Sequence, residues 1–201
     1  MDLLKFLENV ASVSPIPGGG SVSALAGALS ASLLAMVAGL SLKKGGDQRK
    51  EMREVRKKAL ALQRTLFLAI EEDAKSFEAV MKAFRLPKTT EKERASRSRA
   101  IQKAYQKATV VPQMVCEQSI RLLEYSRFLI QKGNPNAMSD SGVAAFLADA
   151  ALAGGLLNIG INLVPVTDKA FLKKMRSRMK DWTKQRNRLM GEVMRSLTTI
   201  G

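Results

Sequence analysis

Between Asn9 and Leu42 the chain carries no charged residue, and inside that run Pro17-Gly18-Gly19-Gly20-Ser21 leads directly into a segment built largely of Gly, Ala and Ser. Sixteen of the 25 residues from Gly18 to Leu42 are of those three types, so a helix here lets another backbone come closer than large side chains would permit. The first turn of such a helix has amides without intrahelical partners, and a glycine-rich entry leaves them open to an anion. This segment therefore belongs at a point of close contact.

A second stretch, Ser141 to Pro165, is almost as apolar, and each is long enough to cross a bilayer. Composition argues for a buried helix pair instead. Gly, Ala and Ser gain little from lipid, and the second stretch contains Asp149, Asn158 and Asn162. The amino terminus, with Asp2 and Glu8 among Leu3, Leu4, Phe6 and Leu7, lacks the basic start of a signal peptide. The expectation is a cytoplasmic protein with no membrane partner.

The remaining chain reads as helices. Asp2 caps a short one from Leu3 to about Ser12, stopped by Pro15 and Pro17. The small-residue helix runs from about Gly19 to Leu42 and is stopped by Lys43-Lys44-Gly45-Gly46, after which Asp47 can start the next. Met52, Val55, Ala59, Leu62, Leu66, Ala69, Phe77, Val80 and Phe84 recur at spacings of three and four, which predicts one long helix ending at Leu86-Pro87. Thr90 with Glu93 offers a capping box for a helix that continues to about Gln131 with a kink at Pro112. Ser139-Asp140-Ser141-Gly142 opens the second apolar helix with Asp140 as a cap, and Pro165 closes it. The last helix starts at Thr167-Asp168 and turns Phe171, Met175, Trp182, Leu189, Val193 and Leu197 inward. With no period-two stretch, residues 1–201 form one all-α domain: long antiparallel helices around two central small-residue helices.

The chain has no histidine and one cysteine, Cys116. That excludes an internal disulfide and a zinc-ligand set, and restricts proton transfer to Asp, Glu, Lys, Tyr, Cys or water. The formal charge of +15 concentrates in Lys43 to Arg64 and in Lys169 to Gly201. Those faces are either merely solvated or attract polyanions. Few aromatics interleave with the cations and no nucleic-acid module is present, which argues against nucleic acid.

Two features point to a site. Asp73 follows Ala69 by four and precedes Phe77 by four, placing a carboxylate on an apolar stripe where it is either paired with a cation or raised in pKa. Gly18-Gly19-Gly20-Ser21 lacks the Gly-Lys-Ser/Thr ending of a P-loop and the strand that precedes a Rossmann turn. It either serves close packing or, if the loop at Asp140 meets it in space, orients an anion or a carbonyl-rich ring.

Taken in order, the residues resemble a known family. Pro15-Ile16-Pro17-Gly18-Gly19-Gly20-Ser21-Val22-Ser23-Ala24-Leu25-Ala26-Gly27-Ala28-Leu29 is similar to the opening signature of the cyclodeaminase domain of the formiminotransferase-cyclodeaminase family. Asp73 and Phe77 with Arg85-Leu86-Pro87-Lys88-Thr89-Thr90 and Arg97, then Val111-Pro112, resemble its middle. Gly133-Asn134 through Asp140, Asn158, Ile161-Asn162-Leu163 and Thr167-Asp168-Lys169-Ala170-Phe171 resemble its last third.

The resemblance implies an all-helical homodimer with a folate groove between long helices at the subunit interface. It implies conversion of 5-formimidoyltetrahydrofolate to 5,10-methenyltetrahydrofolate with release of ammonia. The tetrahydrofolate derivative is then substrate, and no cofactor or metal is expected. The sequence given opens at the cyclodeaminase module, so a separate formiminotransferase is the expected partner.

In that chemistry Asp73 or Asp140 is the candidate acid or base. Asn158 and Asn162, four apart on one helical face, would hydrogen-bond a carbonyl of the pterin or aminobenzoate. Gly18, Gly19, Gly20 and Ser21 would receive a folate carboxylate or pterin edge, and Lys88 and Arg97 the glutamate tail, with polyglutamylated folates favoured by the basic surface.

Gly39, Lys43-Lys44-Gly45-Gly46 and Gly160 depart from the family pattern. Hydrolysis of 5,10-methenyltetrahydrofolate to 10-formyltetrahydrofolate therefore stands as the alternative reaction. A basic helical scaffold that binds polyanions is the alternative outside enzymology.

Overall fold

The computed structural model describes residues 2–44 and 48–198. It contains helices α1 (Leu3–Ala11), α2 (Gly19–Lys44), α3 (Arg49–Phe84), α4 (Glu91–Ala108), α5 (Val110–Lys132), α6 (Met138–Leu163) and α7 (Lys169–Leu197), and no strand among the described residues. Gly45, Gly46 and Asp47, expected to stop one helix and start the next, lie outside the described residues.

Small residues set the centre of the bundle. Ser30 Oγ donates to the Ala144 carbonyl at 2.7 Å, and a Cβ placed on Gly27 would sit 3.6 Å from that of Ala151. Gly154 faces Ser23 and Gly19 faces Asn158, so α2 and α6 run antiparallel, with the start of α2 beside the end of α6. Both are long and apolar enough to span a membrane. Here they pack against each other and against α3 and α5. Asp149, the one acid of α6 after its first turn, is held bidentately by Arg186 at 2.5 and 2.6 Å.

Helix α3 lies antiparallel along α2. Gly39 faces Arg56, Gly27 faces Leu66, and Gln63 Nε2 donates to Ser32 Oγ at 2.9 Å. The expected stripe is buried at Met52, Val55, Ala59, Leu62, Leu66, Ala69 and Val80. Phe77 and Phe84 depart from it, at 37% and 40% exposed. Beyond Asp73, which Gly20 faces, α3 has run past the beginning of α2 and packs against α4 instead, and the positions buried there are Val80 and Ala83 rather than Phe77 and Phe84.

Two further boundaries differ from expectation. Helix α6 begins at Met138, after a 3-10 turn at Pro135–Ala137 that Asn134 caps by accepting from the Asn136 amide at 3.1 Å. The chain is thus helical before it reaches Asp140, which lies in the first turn and makes no capping bond. The kink expected at Pro112 is a break at Thr109. Proline cannot donate to the carbonyl four residues back, that of Ala108, and Asn162 Nδ2 takes the place of the missing donor at 2.9 Å. The capping box at Thr90 and Glu93 and the cap at Asp2 form as expected, and the last helix starts where expected, at Asp168, whose side chain accepts from the Phe171 amide.

Substituting Asn162 by Ala leaves the Ala108 carbonyl without that partner. The expected loss is about 1–3 kcal/mol, read as a drop of roughly 2–4 °C in Tm per kcal/mol. An unchanged Tm would show that the amide does not hold the break.

Candidate functional site

Where the start of α2 meets the end of α6, α3 and α4 close a cavity of about 430 Å³. Its walls include Gly18, Gly19 and Gly20, Asp73 and Phe77 of α3, Tyr105 of α4, and Asn158 and Asn162 of α6. Among the described residues, Asp73 and Tyr105 are its two titratable groups, and no Lys or Arg lines it.

The anion at the glycine turn belongs to the protein itself. The Asp73 carboxylate accepts from the Ser21 hydroxyl at 3.1 Å and from the Ser21 backbone amide, capping α2 from the neighbouring helix. Gly20 makes this possible, since a Cβ there would stand 2.5 Å from Asp73 Cγ. Burial pushes the Asp73 pKa above the usual carboxylate range, and the two Ser21 bonds pull against it. Of the alternatives for an acid on an apolar stripe, a raised pKa holds. No salt bridge to Asp73 occurs among the described residues.

Asn158 and Asn162 both reach the cavity, but each has committed an amide N–H: Asn158 Nδ2 to the Gly154 carbonyl at 2.8 Å, Asn162 Nδ2 to that of Ala108. What each retains is one N–H and its whole carbonyl oxygen. With the Asp73 carboxylate, three side chains offer oxygen acceptors to the cavity, which suits a ligand that brings N–H groups.

Other expected site residues lie elsewhere. Ser21 is fully buried behind Asp73. Asp140 stands at the opposite end of α6, 18 residues before Asn158 and hence about 27 Å away along the helix axis, so the two helix starts do not meet. Lys88 and Arg97 share a separate depression with Arg94 and Gln102. Arg97 is largely engaged there, donating to the Phe84 carbonyl at 3.1 Å with its guanidinium 5.4 Å from the Phe84 ring centre. Gln102 connects the two hollows by donating to the carbonyl of Pro165, a cavity residue.

Tyr105 is the site residue that periodicity hides, because it reads as one more apolar position of α4. Its ring meets Phe84 edge-on at 6.1 Å, and its hydroxyl has no partner among the described residues. Among those residues, no group of three or more His, Cys, Asp or Glu gathers as a metal site. Cys116 is buried with its thiol pushed up to about 12 by desolvation, the state of an inert core residue.

Comparison with known proteins gives consistent matches. The family model described as Formiminotransferase-cyclodeaminase matches residues 2–181. A methenyltetrahydrofolate cyclohydrolase of Methylorubrum extorquens is 38% identical over 84% of this chain and 82% of its own length. A formimidoyltransferase-cyclodeaminase of Rattus norvegicus is 33% identical over 88% of this chain, which spans 33% of that protein. In structure, a formiminotetrahydrofolate cyclodeaminase of Thermotoga maritima superposes with a TM-score of 0.90 at 30% identity, covering 100% of this chain and 97% of the other.

Proposed function

The chain belongs to the formiminotransferase-cyclodeaminase family, and from that premise we propose that it is a folate one-carbon enzyme working on the carbon between N5 and N10 of tetrahydrofolate. The reading rests on one observation above the rest: a half-buried carboxyl of raised pKa in a cavity that it shares with Asn158, Asn162 and Tyr105 and that has no charged side chain besides it among the described residues.

In cyclodeamination N10 attacks the formimidoyl carbon. With the formimidoyl group entering as its protonated amidinium, attack leaves the former imine nitrogen as the neutral amine of a tetrahedral aminal while N10 loses its proton, and ammonia departs once that amine is protonated, leaving the methenyl bridge. One proton leaves N10 and one is delivered to the departing nitrogen, so Asp73 can take the first and supply the second. Asn158 and Asn162 offer carbonyl oxygens to the N–H groups of the formimidoyl nitrogen or the pterin edge. Asp140, outside this cavity within one chain, has no part in this scheme.

The second reading is hydrolysis of the methenyl bridge, favoured by the higher identity to the Methylorubrum cyclohydrolase. Water adds to the same carbon and loses one proton, N5 leaves as that proton reaches it, and the remaining hydroxyl proton is released to solvent as the formyl carbonyl forms. Again one carboxyl receives and returns a proton. Following methenyl-folate absorbance separates the two: it rises from the formimidoyl substrate in the first case and falls with added methenyltetrahydrofolate in the second. Turnover of neither, with no folate-dependent rise in Tm, removes the enzyme reading.

We also propose a homodimer that completes the groove. Val143, Phe146, Leu157 and Ile161 of α6, with Val164 just after it, form an outward apolar stripe, Leu157 being 75% and Val164 77% exposed, while α2 exposes Val22, Leu29 and Met36. A patch of this kind is unusual on a monomer surface, and Ile161 and Val164 also line the cavity. Leu157→Glu with Ile161→Glu is expected to give a monomer by light scattering and to lose turnover. A dimer of unchanged mass would place the interface elsewhere. On the same scheme the glutamate tail passes over Lys88 and Arg97 in the neighbouring depression, and the formimidoyl substrate comes from a formiminotransferase in the cytoplasm.

A further inference from the structure

Either reaction asks one carboxyl to accept a proton and return it within a turnover, in a place where burial makes an unpaired polar group expensive. Ser21 Oγ stands 3.1 Å from Asp73 Oδ2 and 3.0 Å from the Ile70 carbonyl, and the residue is fully buried. A hydroxyl has one proton to give and two lone pairs to accept with.

We propose that Ser21 is a positioning residue whose hydroxyl turns between Asp73 and the Ile70 carbonyl, keeping the Asp73 carboxyl hydrogen-bonded whether or not it carries the proton. The inference rests on the reading of Asp73 as the group that moves protons.

With Asp73 ionised, Ser21 O–H donates to Oδ2. With Asp73 protonated, Oδ2–H donates to Ser21 Oγ and the serine proton points to the Ile70 carbonyl. That carbonyl lies inside α3, where one lone pair serves the helical bond and the other is free to accept. No heavy atom moves between the two states, so the carboxyl stays in place while its proton comes and goes. Among the described residues that line the cavity, Asp73 is the one acid and no Lys or Arg is present. Toward the cavity Asp73 faces Ser76 and Phe77 of its own helix, Gly19 and Gly20 of α2, Asn158 and Asn162 of α6 and Tyr105 of α4, of which Tyr105 alone titrates.

Ser21→Ala removes both alternatives, and the ionised state loses more because its bond is charge-assisted. The pKa of Asp73 therefore rises further. The acidic limb of the pH profile of kcat/KM is expected to move up by about one unit or more, with kcat lowered. In an Asp73→Asn background the same change is expected to alter turnover no further. Carbon-13 NMR of the Asp73 carboxyl reads the same shift without turnover, so it remains decisive if neither folate is a substrate. Ser21→Cys, which keeps a rotatable but weaker donor, is expected to shift in the same direction by less. An unmoved Asp73 titration in Ser21→Ala, or equal loss of kcat in both backgrounds, would overturn the proposal. Should Ser21→Ala fail to fold, an unmoved titration in Ser21→Cys does the same.

Discussion

Asp73→Asn is expected to lower turnover by about 10²–10⁴-fold, the range over which a positioned general acid or base contributes, while leaving the helices intact. Asparagine still offers an oxygen to the Ser21 amide, and its N–H can donate to Ser21 Oγ, so the start of α2 remains capped. Stability should even move the other way with pH. Because the native pKa of Asp73 is raised, the folded chain holds this proton more tightly than the unfolded one does. The stability it contributes is fully present below the ordinary carboxylate pKa and is lost as pH rises through the raised native value. Asparagine does not titrate, so the Tm of the variant should gain on wild type across that window as pH rises. Full activity in Asp73→Asn removes the residue from the chemistry, and a Tm difference independent of pH contradicts the raised pKa.

Much of the fold was legible in the sequence because it depends on local signals. The capping box at Thr90 and Glu93, the cap at Asp2 and the stripe from Met52 to Leu66 are written within a few residues of the positions they determine. What escaped depends on partners distant in sequence. The break at Thr109 was traceable to Pro112, but its repair by Asn162 joins residues 54 apart. Phe77 and Phe84 continue the apolar period of α3, yet they lie beyond the start of α2, and a period cannot tell where the opposing helix ends.

The site divided along the same line. Asp73 was legible as an acid on an apolar stripe, and the glycine turn as a place for an anion. That each is the other's partner follows only from the antiparallel register of α2 and α3. The same register separates Asp140 from the cavity, since α2 and α6 begin at opposite ends of the bundle. Tyr105 gave no signal apart from its hydroxyl.

Gly20→Ala tests the meeting of turn and carboxylate from the other side, and its expected effect is large in activity and moderate in stability. A methyl at this position would stand 2.5 Å from Asp73 Cγ, so the carboxylate must leave the Ser21 amide and hydroxyl. Because the obstruction is the end of a side chain rather than backbone, the fold can yield, and overpacking of this kind costs about 1–3 kcal/mol. The chemistry cannot yield as easily: displacement of a reacting group by an ångström is worth on the order of 10²-fold in rate. Gly191→Ala is the control, because it lies outside the cavity lining and its Cβ would meet only Arg195 Nη1 at 3.6 Å, an ordinary contact. Turnover should fall in the first variant and stay near wild type in the second, with both folded by circular dichroism. Equal activity in the two would mean that Gly20 is small for the sake of helix packing alone. A loss confined to Gly20→Ala ties the uncharged, glycine-led helix to catalysis through the one carboxylate it allows to approach.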